Sequence, residues 1–191
     1  MSKKSEIITL PHPSLRTASR KVGLIDQEIL DVVDTMITQT LAWEQAREHE
    51  VAVALAAVQI DKPWKIVVIR EDFDDKSNQE FVVLINPEIT KYGGKVNEVY
   101  QGCLSVKDYY VKVPRHSMVK IKALNIHGQE IRFKAEGFLA EVLQHEVDHI
   151  KGITIVDRAT DEKSFKRLNG PSGKLEKVDY EEIIDAGILA D

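Results

Sequence analysis

Apolar positions change their spacing several times along the chain, and each change marks an element. Ile29, Val33, Met36, Ile37 and Leu41 recur every three to four residues, the period of a helix with one buried face. Asp26 precedes the pattern as an N-cap, and the charged stretch "REHE" (47–50) is expected to end it. The spacing then shortens. "KIVVIR" (65–70) and "FVVLIN" (81–86) are continuous apolar runs of the kind found in buried strands, and the polar loop "EDFDDKSNQ" separates them. Asn86-Pro87 is expected to end the second run, because proline cannot donate to a ladder. "YGG" (92–94) predicts a turn, and "KVNEVY" (95–100) a strand. "MVKIKAL" (118–124) and "EIRFKA" (130–135) alternate apolar with polar, and "NIHGQ" between them predicts a hairpin turn.

Helical spacing returns at "EGFLAEVLQHEVDHIK" (136–151), with Gly152 at the C′ position and Lys151 suited to the negative end of the helix dipole. "LPHPSLR" (10–16), with two prolines, predicts an extended lead-in. Beyond about Arg158 the pattern weakens: "RLNGPSGK" (167–174) has turn composition, and "VDYEEIIDAGIL" (178–189) fits a short helix or a strand. Helix, many short strands, helix is the order of an α+β fold. The expectation is mostly antiparallel sheets packed around the 136–151 helix, with a long N-terminal helix.

Composition narrows the function. A chain of 191 residues supports one domain with a sizeable core and a short appendage. The formal net charge of -5 argues against an extended nucleic-acid surface. No apolar run approaches the roughly 20 residues that span a bilayer, and the two lysines near the start are not followed by an apolar signal core. The lone cysteine, Cys103, excludes an internal disulfide, fits a reducing cytoplasm and leaves its thiol free for chemistry or for packing.

The chemistry concentrates at residues 144–152, "QHEVDHIKG". On a helix, His145 and His149 are four apart and share a face, so both imidazoles can reach one ion, with Glu146 beside them as general acid/base. The same pattern also fits a polar helix face with two surface histidines. The apolar positions Phe138, Val142 and Ile150 argue that the helix is at least half buried. A hydrolytic centre needs three protein ligands and an open position, and Asp, Glu, His or Cys can supply the third. Cys103, in the loop-like "QGCLS" (101–105), is a candidate, although a lone cysteine is more often a small buried hydrophobe.

Three stretches in order, "AVALAAVQ" (52–59), "QGCLS" (101–105) and "HEVDH" (145–149), together with "PHPSLR" and "VPR" (113–115), make the sequence resemble the peptide deformylases. These are metallohydrolases that remove the formyl group from the N-terminal methionine of newly made chains. The resemblance covers roughly residues 6–160. It implies a catalytic domain over 1–160 and an extension of unassigned role over 161–191. It implies Cys103, His145 and His149 as metal ligands, Glu146 as the acid/base, and an oxyanion hole from Gln59 and the backbone N–H of Leu104. It places Val53, Val99, Phe138 and Val142 around the methionine side chain. Ala52, Val53 and Ala54 would meet the peptide backbone as an added strand, and Gln101 would border the same site. The native metal it implies is Fe2+. The ligand set alone suits Zn2+, Ni2+ or Co2+ as well.

The sequence departs from the family pattern at Ala52 and Ala54, where glycines are usual, at Gln101, where a glutamate is usual, and at Glu141, where an apolar residue is usual. The glycine positions raise the question of positive φ and close backbone approach. Gln101 removes the carboxylate expected to pair with Arg115, so another acceptor is required. These departures predict altered or weaker turnover of formylmethionyl peptides. They also keep two other readings in view: a deformylase-like scaffold that binds peptide or the ribosome without turnover, and a metallopeptidase acting on ordinary peptide bonds.

Overall fold

The computed structural model describes residues 7–45, 47, 50–73, 75, 77–169 and 173–189. Among these residues three α-helices, α1 (Gln27–Gln45), α2 (Gly137–Ile150) and α3 (Tyr180–Asp185), accompany seven strands. The strands are β1 (Ala54–Ala56), β2 (Ile66–Arg70), β3 (Phe81–Cys103), β4 (Val106–Leu124), β5 (Glu130–Glu136), β6 (Phe165–Asn169) and β7 (Lys174–Lys177). They form one antiparallel sheet in the order β1-β2-β3-β4-β6-β7, with β5 also paired to β4. The class is therefore α+β, as the sequence pattern predicts.

Burial on both faces explains the continuous apolar run of β2. Val67 and Ile69 pack with Ala140 and Leu143 of α2, while Ile66 and Val68 pack with Ile29, Val33 and Met36 of α1. A sheet covered by helices on both sides has no solvent face to alternate with. The Asp26 carboxylate accepts from the Ile29 N–H at 3.2 Å, which caps α1 as expected. The helix reaches Gln45; Ala46, Glu48 and His49 of its expected terminus lie outside the described residues. Every residue of α2 from Val142 to Ile150 is buried. Gly152 follows it at φ 73, and a Cβ there would lie 2.7 Å from the Arg16 carbonyl oxygen, so glycine serves both the left-handed turn and a close backbone crossing.

Three local expectations change. Asn86-Pro87 does not end a strand. It sits at a register shift within β3, where Asn86 takes φ 52 and its side chain bonds the N–H and carbonyl of Val22. "YGG" is a second irregularity of the same strand, between Gly93 and Val96, rather than a turn. In both places the loss of a ladder position is absorbed as a bulge that bends the strand. The lead-in at Pro13–Arg16 is a turn of 3-10 helix with proline at its start and His12 Nδ1 accepting from the Ser14 N–H. The hairpin at 125–129 forms as predicted, closed by the Asn125 N–H to Gln129 carbonyl bond.

In the weakly patterned tail, residues 178–189 supply the helix α3 rather than a strand. Ile183, Ile188 and Phe165 pack with Leu10, Leu15, Val111 and Val113. None of the described helices is long and apolar enough to cross a membrane.

Candidate active site

Cys103 is the last residue of β3. Leu104 and Ser105 form the turn into β4, which pairs Cys103 with Val106. Glycine before the cysteine leaves room for a neighbouring ring: a Cβ on Gly102 would approach the Tyr110 ring to 3.0 Å, so the ring would have to shift. The N-terminal segment ties this turn to the first motif. The Leu10 N–H bonds the Ser105 carbonyl at 3.0 Å, and the Ile8 N–H bonds the Gln59 carbonyl at 2.8 Å.

Opposite the turn, α2 presents its two histidines, with ring centroids 4.9 Å apart. Cys103 Sγ lies 3.3 Å from His149 Nε2, and one ligand atom from each of Cys103, His145 and His149 falls within 4.8 Å of the others. A thiol and two imidazoles converging on one point are the donor set of a divalent transition metal with a position left for water. The electrostatics fit that use. Burial pushes the Cys103 thiol up to about 12, despite the Ser105 and Val106 N–H groups that favour the thiolate. Burial also lowers His149 to about 4 and His145 well below the ordinary histidine value, so both rings are neutral at pH 7. Neutral imidazoles are the ligating form. A cation held by these residues would supply the charge that favours the thiolate.

Glu146 is 4% exposed, and its Oε2 has no hydrogen-bond partner. Burial raises its carboxyl to about 8; Asp148 adds to the shift and Arg115 opposes it. A carboxyl poised near neutrality is suited to taking and returning a proton. Gln59 is 1% exposed and held in one orientation. Its Oε1 accepts from the Ala56 N–H at 2.8 Å, which turns Nε2 toward Ser105 Oγ at 3.1 Å and Cys103 Sγ at 3.8 Å. Gln59 is thus a buried donor beside the thiol.

A cavity of ≈ 210 Å³ opens at this centre. Val53, Ala54, Gln101, Leu104, Phe138 and Val142 line it, together with Gln59, Cys103, His145 and Glu146. Two expected residues do not line it. Val99 packs with the cluster around Val111 and Val113, and Ala52 is fully buried. Neither Ala52 nor Ala54 has positive φ, so these positions do not require glycine on backbone grounds, and only the Ala54 methyl meets the cavity. The outer wall comes from Trp43, Glu50, Tyr100, Tyr109 and Tyr110, none of which belongs to a recognisable motif. Their one sequence signal is the density of tyrosine around the cysteine turn.

The acceptor demanded by Arg115 is Asp148. Arg115 Nη1 donates to Asp148 Oδ2 at 2.6 Å, while its Nε donates to Gln101 Oε1 at 3.0 Å. Arg158 reaches the same carboxylate from outside, at 2.6 and 3.1 Å. This network ties the residue before Gly102-Cys103 to the residue before His149, so it fixes thiol and imidazole relative to each other.

The chain matches the polypeptide deformylase family model over residues 4–165. It is 39% identical over 153 residues to a peptide deformylase of Aquifex aeolicus, covering 80% of this chain and 86% of that one. It is 37% identical over 162 residues to one of Prochlorococcus marinus, covering 85% and 77%. Among solved structures, a Synechococcus elongatus peptide deformylase in complex with actinonin superposes with a TM-score of 0.75 at 28% identity, covering 84% of each chain. One from Legionella pneumophila gives 0.72 at 30% identity, covering 97% and 98%. With these likenesses extending over nearly the whole fold and the converging thiol and imidazoles at its centre, the chain belongs to the peptide deformylase family.

Proposed function

We infer that the chain hydrolyses the formamide of N-formylmethionyl peptides, with Cys103, His145 and His149 holding one divalent metal ion and Glu146 moving the proton. The observation that carries this reading is the convergence of Sγ and two imidazoles within 4.8 Å beside a buried carboxyl raised to about 8. An ion held there would supply Lewis acidity and lower the pKa of a water toward ~7. Thiolate and imidazole donors suit Fe2+, the metal of this reading, and accommodate Zn2+, Ni2+ or Co2+.

The chain's own groups do the rest. Glu146 accepts a proton from the attacking water and returns it to the departing amine. Gln59 Nε2 and the Leu104 N–H donate to the carbonyl oxygen as negative charge grows on it. Because the Ala56 N–H already fixes the Gln59 amide, that donor needs no reorganisation during the reaction. Val53, Phe138 and Val142 offer the methionine side chain an apolar wall, and the 52–54 segment offers backbone groups to the peptide. Gln101 remains a hydrogen-bond acceptor for Arg115 while Asp148 carries the charge, so the substitution at 101 leaves the ligand geometry supported. The test is formate release from a formyl-Met tripeptide by protein loaded with Fe2+ under anaerobic conditions, compared with Glu146→Gln. Formate produced by the parent and not by the variant is expected; equal release by both would remove Glu146 from its role.

A further inference from the structure

Arg70 and Glu44 form a buried ion pair that none of the chemistry above uses. Arg70 ends β2, and its side chain is 0% exposed; Glu44 is one residue from the end of α1 and 11% exposed. Their closest approach is 2.7 Å, from Arg70 Nη2 to Glu44 Oε2. Such a pair is costly to desolvate and is a weak device for stability alone. Its remaining bonds show what it holds. Glu44 Oε2 also accepts from the Ala52 N–H at 2.9 Å, and Arg70 Nε donates to the Ala52 carbonyl at 3.5 Å. Both backbone groups of Ala52 are thereby taken by one ion pair, while the Arg70 N–H holds the next carbonyl, that of Val53, at 2.8 Å. The guanidinium reaches a second segment too, because Nη1 donates to the Asn78 carbonyl. That loop carries Phe73, whose ring meets Phe138 edge-on at a centroid distance of 5.4 Å. Val53 and Phe138 both line the cavity.

We propose that Glu44 and Arg70 are positioning residues that set the substrate groove: one charge pair fixes the 52–54 segment and the Phe73-bearing loop against Phe138. The proposal rests on the deformylase reading of the cavity. It accounts for how alanines at 52 and 54 keep the segment in a binding geometry, since the ion pair defines its path from behind. The pair touches neither the thiol nor the imidazoles, so it acts on peptide binding rather than on the bond-breaking step.

The test compares Glu44→Ala, Glu44→Gln and Arg70→Lys with the parent. One readout is hydrogen exchange of the 50–56 backbone, which needs no metal and no turnover. Another is KM against kcat for a formyl-Met tripeptide. In Glu44→Ala, faster exchange at 52–54 is expected, with KM raised about tenfold, the scale of one charge-assisted hydrogen bond, and kcat within about twofold. Glu44→Gln keeps an acceptor for the Ala52 N–H and is expected to recover most of both. Should Glu44→Ala not fold, Glu44→Gln and Arg70→Lys carry the comparison, with an intermediate rise in KM expected. Unchanged exchange and KM in a folded variant would overturn the proposal. So would a fall in apparent kcat in proportion to the folded fraction with KM unchanged. A parent that releases no formate, with Glu44-dependent exchange intact, would instead count against the deformylase reading.

Discussion

Asp148→Asn isolates the balance of charge behind α2. The carboxylate accepts from two guanidiniums that differ sharply in exposure: the Arg115 side chain is 4% exposed and that of Arg158 is 40%. Neutralising Asp148 leaves Arg115 buried beside neutral amide oxygens and without that countercharge, and breaking a buried pair in this way costs about 3–5 kcal/mol. Arg158 sits largely in water, so Arg158→Gln is expected to cost no more than about 1 kcal/mol. For a domain of this size each kcal/mol moves Tm by roughly 2–4 °C, which puts Asp148→Asn about 6–20 °C below the parent and Arg158→Gln within about 4 °C. The assay is calorimetric or circular-dichroism melting of metal-free protein, so that ion binding does not enter. Adding Gln101→Glu places a carboxylate beside Arg115 Nε, now 3.0 Å from the amide oxygen, and is expected to return part of the loss as a favourable coupling in the double-mutant cycle. The reasoning is refuted if Asp148→Asn and Arg158→Gln melt together, or if Gln101→Glu destabilises the Asp148→Asn background further.

Other perturbations act on the chemistry itself. Glu146→Gln keeps shape and hydrogen bonding but not the proton acceptor, and kcat should fall about 10²–10⁴-fold with KM little changed, as measured by formate release. Gln59→Ala removes one donor to the developing oxyanion and should lower kcat about 10²–10³-fold; a change confined to KM would contradict that role. Metal uptake should tighten as pH rises: the Cys103 thiol, at about 12 without metal, is protonated throughout the neutral range and must lose its proton to ligate, whereas both imidazoles are already neutral. A competition titration with a chromogenic chelator between pH 6.5 and 7.5 should show close to a tenfold gain per proton released, and a flat profile would place the thiol outside the ligand set. Gly102→Ala should disturb the cysteine turn, since the added methyl meets the Tyr110 ring at 3.0 Å, and a chelator-resistant metal content equal to the parent would show the ring gives way freely.

What could be read in advance follows from the range of the interactions concerned. The helices α1 and α2 were legible because their determinants are local: a cap at Asp26, a 3.6-residue apolar period, and a glycine at 152. The convergence of Cys103, His145 and His149, with Gln59 beside the thiol, was legible because those residues lie in the short motifs that carry the family resemblance. The continuity of β3 through Asn86-Pro87 and the paired glycines was not legible, because the bonds that stabilise those bulges come from Val22 and from Ser117, far along the chain. The packing of Val99 against the cluster of Val111 and Val113 was not legible for a related reason. Register shifts in β3 decide which face a side chain takes, and no local pattern encodes them. The Glu44–Arg70 pair and the tyrosine wall likewise join elements that only the folded sheet brings together.

The association of Phe165, Ile183 and Ile188 with Leu10 and Val111 has a consequence for biosynthesis. Part of the cluster that Cys103 packs against is translated well after the cysteine turn itself, so the turn is made before those packing partners exist. Competence to hold the ion tightly is therefore expected to need residues made after His149, with Phe165, Ile183 and Ile188 among them.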